Sequence, residues 1–92
     1  MNVEVGQEFW GVLAELCLDP ATKRKRVRSI EGQSFPAKLF IECSMSVRHK
    51  HPIGTIFKVN IAISQKQGGG IYAHSKSKSE LLTVNEWESK YG

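Results

Sequence analysis

No stretch of the chain is long and apolar enough to read as a transmembrane helix. The opening MNVEVGQEF lacks a positive segment followed by an apolar one, so no secretory signal is visible. These absences predict a cytoplasmic protein without a membrane partner. Cysteine is scarce. Cys17 and Cys43 sit on apolar stretches and form no paired-ligand spacing, which predicts two reduced, buried thiols acting as small hydrophobes. The known catalytic patterns are missing too: there is no G-x-S-x-G, no G-x-x-x-x-G-K-[ST], and no Ser-His-Asp or Cys-His arrangement at defined spacing. The expectation is a protein that is not an enzyme, with no catalytic residues and no cofactor. His49-x-His51, with His74 and Cys43, is too weak a set to predict a metal site, because closed zinc sites need three or four ligands at paired spacings.

The middle of the chain also lacks acids. Residues 23–78 hold twelve Lys or Arg against Glu31 and Glu42, whereas residues 1–22 carry four acids and no Lys or Arg. The net charge of +4 is therefore a basic centre flanked by acidic ends. Within that centre, Lys23-Arg24-Lys25-Arg26-Val27-Arg28 places five cations in six residues. Such density raises the local concentration of polyanions. A charged edge strand that resists aggregation is the competing explanation.

With 92 residues and eight Phe, Trp and Tyr, the chain predicts one ordered domain, residues 1–92. Ala37 to Val47 alternates apolar and polar residues, with Phe40 the one large residue on the polar parity. Thr55 to Ile63 repeats the alternation. Both read as half-buried strands, joined as a hairpin through Arg48 to Gly54. Gln65 to Gly70 reads as the next turn and Ile71 to His74 as a returning strand, which completes a three-strand meander. Gly68-Gly69-Gly70 reads as a hairpin loop, since no strand-then-helix phosphate motif follows it. Residues 75–79 read as an exposed, mobile loop.

Gln7 to Leu18 is apolar on both parities, which fits a central strand or a buried helix, with Gly11 favouring the strand. Arg24 to Ile30 reads as another strand. Thr83-Val84-Asn85-Glu86 has capping-box spacing and predicts a short helix to Lys90, with a closing strand at 80–84 before it. The pattern is mainly β: a small five-stranded antiparallel barrel or curved sheet, SH3-like or OB-like in size, with a short C-terminal helix.

The function this predicts is non-catalytic binding of nucleic acid, DNA or RNA, or of another polyanion, through a basic edge. The expected contacts are Arg24, Lys25, Arg26, Arg28 and Arg48, with Tyr72 as a stacking platform. Phe35 and Phe40 are further stacking candidates, unless Phe40 packs on Trp87 or Tyr91. The alternatives are a protein–protein adaptor or homo-oligomer whose acidic ends meet the basic centre of another copy, and a small-ligand binder with an apolar mouth near Trp10 and Trp87.

Overall fold

The first strand, β1, spans Glu8–Leu18 and shows why both of its parities are apolar. Val12, Ala14 and Leu16 form its buried row. Simple alternation would place Trp10 on that row, but the ladder slips at Gly11. Phe9 pairs with Ile61 and Val12 with Val59, so Trp10 and Gly11 together oppose Asn60. Gly11 has φ +69°, where a side chain is disfavoured. This bulge turns Phe9 inward, edge-on to buried Phe35 with ring centroids 4.9 Å apart, and turns Trp10 outward.

A computed structural model describes residues 3–43, 48–76 and 81–92. After β1 come β2 (Lys25–Ser29), β3 (Phe40–Glu42), β4 (Ile56–Gln65), β5 (Ile71–Ser75) and a helix, Val84–Tyr91. The strands close into a barrel in the order β1-β2-β3-β5-β4, with β4 returning to β1. The chain is thus the small, mainly β barrel with a C-terminal helix that its patterning predicts. The barrel is mixed rather than wholly antiparallel, because β3 and β5 run parallel.

The expected hairpin between 37–47 and 55–63 does not form. Thirteen residues separate β3 from β4, long enough for β4 to reach β1 while β3 settles between β2 and β5. The β4–β5 hairpin does form, and its turn is closed by Lys66 N–H donating to the Gly70 carbonyl at 3.1 Å. Within 37–47 the described strand is Phe40–Glu42, and residues 44–47 lie outside the described residues, as do 77–80. Between 80 and 84, Thr83 makes a single bridge to Phe57. β2 is hydrogen-bonded to β1 and β3, so its basic residues do not lie on an edge strand as expected.

Period-2 patterning fills the core. Val27, Ile41, Phe57, Val59, Ile61, Ile63 and Ala73 point inward with the β1 row. Each large aliphatic or aromatic side chain buried there contributes about 1.5–3 kcal/mol. Ser29, also buried, donates to the Pro36 carbonyl at 2.6 Å and accepts from Leu39 N–H at 3.0 Å. The capping box is present, with Thr83 N–H donating to Glu86 Oε1 at 2.9 Å and Glu86 N–H to Thr83 Oγ1 at 3.4 Å. The helix buries no residue completely. Asn60 Oδ1 holds it by accepting from Trp87 Nε1 and from the bulge N–H of Gly11, both at 3.0 Å.

Candidate nucleic-acid interface

Alternation that sends Val27, Ile41 and Ala73 inward sends their neighbours outward. Arg26, Arg28, Phe40, Glu42, Tyr72 and His74 therefore share the outer face of β2, β3 and β5. Phe40, the off-parity aromatic, is 38% exposed there. The Arg26 guanidinium lies 4.3 Å from its ring centroid. Two strands away, Lys66 lies 5.5 Å from the Tyr72 ring centroid. Both contacts are within the range of cation–π attraction. A shallow concavity of about 330 Å³ connects these pairs and includes Arg26, Phe40, Glu42, Lys66 and Tyr72. His74 hydrogen-bonds Ser64 Oγ at 2.8 Å and tilts against Tyr72, with centroids 5.5 Å apart.

The basic run divides among three environments. Arg26 is 3.9 Å from both Asp19 Oδ2, in the β1–β2 turn, and Glu42 Oε1, on the face, so its charge is shared with two carboxylates. Arg28 stands in register between Glu15 on β1 and Phe40 on β3. Lys23, Arg24 and Lys25 gather with Arg48 and His49 around an open concavity of about 680 Å³ at one end of the barrel. The Lys25 ammonium donates to the His51 carbonyl at 2.8 Å. That bond ties the β1–β2 turn to the segment carrying Arg48. The six expected contacts thus fall into two adjoining groups: Arg24, Lys25 and Arg48 at the end, and Arg26, Arg28 and Tyr72 on the face.

The remaining candidates separate further. Phe35 is core. Phe40 does not meet Trp87 or Tyr91, which cluster instead with Trp10; Tyr91 lies 5.6 Å from Trp10 and 5.2 Å from Trp87, centroid to centroid. That cluster lines a cleft of about 150 Å³ on the outer surface of the barrel, rather than an apolar mouth. Lys58 covers Trp87 and pairs with Glu88, while Lys76 lies near Trp10 and pairs with Glu8. Among the described residues no group of three or more His, Cys, Asp or Glu side chains is arranged to hold a metal ion. Cys17 is on the outer face rather than in the core, half-buried, with its thiol 3.4 Å from the Arg26 carbonyl. Burial pushes the Cys43 thiol above its ordinary range despite the opposing pull of Arg48. Sequence reasoning did not place Lys66 beside Tyr72; that contact follows from the Gln65–Ile71 register of the hairpin. Comparison of the chain with protein-family models, curated proteins and solved structures found no match.

Proposed function

We propose that the protein binds single-stranded nucleic acid, without catalysis, across the outer face of β2, β3 and β5. The observation carrying this reading is the pairing of two surface aromatics with cations on one face, Phe40 with Arg26 and Tyr72 with Lys66. Unpaired bases stack on such rings, while the cations serve the backbone alongside. The Lys23–Arg24–Arg48 concavity supplies further phosphate contacts at one end of the face. The strand order, with its one parallel pair, favours an OB-like reading over an SH3-like one. OB barrels present oligonucleotides to the strand 2–3 face and to the loops after strands 1 and 4. In this chain those loops carry Lys23, Arg24 and Lys66.

The adaptor reading has less support, because Asp19, Glu8 and Glu88 of the acidic ends are already engaged by Arg26, Lys76 and Lys58 of the same chain. The test is anisotropy of a labelled decathymidylate at several salt concentrations. Binding should weaken with salt, and Phe40→Ala and Tyr72→Ala should each cost about 1–3 kcal/mol without changing the salt slope. No binding at low salt, or full binding by both variants, refutes the proposal.

A further inference from the structure

The concavity at the end of the barrel differs in chemistry from the aromatic face. It is lined by Leu18, Lys23, Arg24, Lys25, Arg48 and His49, with no acid among them. Asp19, next in sequence, is occupied elsewhere: Oδ1 accepts from Ala21 N–H at 2.9 Å and Oδ2 faces Arg26. The Arg48 Nε is buried and has no hydrogen-bond partner among the described residues. Lys23 occupies the left-handed region, φ 61°, in a turn where Gly or Asn would sit without strain. Lys38 shares this conformation at φ 63°, so what distinguishes Lys23 is its place on the lining of the concavity.

We infer that this concavity takes the terminal phosphate monoester of a nucleic-acid strand. The inference rests on the single-strand reading, since it adds an end to the path over Phe40 and Tyr72. A monoester carries about −1.5 to −2 at neutral pH, against one charge for an internal diester. A convergent cationic site with no lining acid favours the more highly charged group. Arg24 and Arg48 provide planar donor forks, and Lys23 provides a point charge. Half-exposed Leu18 supplies an apolar wall for the terminal sugar or base.

The test compares one labelled decathymidylate bearing a 5′-phosphate, a 3′-phosphate or neither. One phosphorylated form should bind roughly tenfold tighter than the unmodified strand, about the effect of one charge-assisted hydrogen bond. Arg48→Ala and Lys23→Gly should each weaken the phosphorylated strand more than the unmodified one, and so remove most of that preference. Lys23→Gly should melt no lower than the parent, because glycine relieves the left-handed backbone. Equal binding of the three strands overturns the inference and leaves the single-strand reading standing. Thymidine monophosphate, followed by amide NMR, is the second probe. Shifts confined to Lys23–Lys25 and Arg48–His49, without binding of any decamer, overturn both the terminal-phosphate assignment and the single-strand path and leave a site for small anions alone. Monophosphate shifts only on the Phe40–Tyr72 face overturn the terminal-phosphate assignment.

Discussion

Glu42 is the one acid in the middle of the proposed binding face, so Glu42→Gln should strengthen binding. Its carboxylate lies 3.9 Å from the Arg26 guanidinium and is about half exposed. A pair this long and this wet contributes little, a few tenths of a kcal/mol at most, so the variant should fold normally. A phosphate passing over Arg26 would sit at ~7 Å from the carboxylate. With an effective dielectric constant of about 40–80, their repulsion is about 0.6–1.2 kcal/mol. Removing it predicts a gain of about three- to eightfold at low salt, falling to about two- to threefold at 0.1 M. Freeing Arg26 from one of its acids should also steepen the log–log salt dependence by up to about 0.7, the value of one added contact to a single strand. Anisotropy of a labelled decathymidylate at four or five salt concentrations gives both numbers. Unchanged or weaker affinity, with an unchanged slope, would show that nucleic acid does not cross this face.

Three further outcomes concern the scaffold. Ser29→Ala should cost about 1–3 kcal/mol in urea unfolding, because it strips a buried donor from the Pro36 carbonyl and a buried acceptor from Leu39 N–H. Gly11→Ala should destabilise by about 1–2 kcal/mol, since alanine is strained at φ +69° and its Cβ would lie 3.0 Å from Lys58 Cε and 3.3 Å from the Trp87 ring; a shift in Trp fluorescence should accompany the loss. Hydrogen bonds to Thr83, its backbone first and its side chain second, hold the Glu86 carboxyl below its ordinary 4.5. Its contribution is therefore present above pH 4.5 and lost as pH falls through the lowered value, so Trp87 fluorescence should report helix loosening there and Glu86→Gln should abolish that step.

Much of the barrel could be read from the sequence because strand burial has a period of two. The inner rows of β3 and β4 are those the alternation names, and the Thr83–Glu86 spacing is a real cap. Phe40 is the clearest case on the functional side: an aromatic on a polar parity is either covered by another element or left at the surface, and here it is left at the surface with Arg26 lying over it. Strand order was not legible. Whether β3 joins β4 or β5 depends on closure of the whole barrel, and no local pattern encodes a parallel β3–β5 pair. The parity switch at Gly11 was hidden for a related reason. A glycine on a strand is compatible with a bulge, yet only the pairing with Asn60 shows that one occurs and sends Trp10 outward.

The basic run shows most sharply how sequence density and available charge differ. Counted along the chain it offers five cations. In the fold, Arg26 is shared by Asp19 and Glu42, Lys25 gives one donor to the His51 carbonyl, and Arg28 stands beside Glu15. Lys23 and Arg24 remain, joined by Arg48 from a distant segment and by Lys66 at the far end of the face. Four phosphate contacts to a single strand predict a log–log salt slope near −3, since each contributes about −0.7. Charge density read along the sequence, taken on a duplex, would instead predict about −4 to −5. A measured slope at the steeper value would mean that the ion pairs open on binding and that Arg26 and Arg28 carry phosphates directly. A slope near −3 that loses about 0.7 in Arg24→Ala, and changes little in Arg28→Ala, would place the working charge where the fold leaves it unpaired.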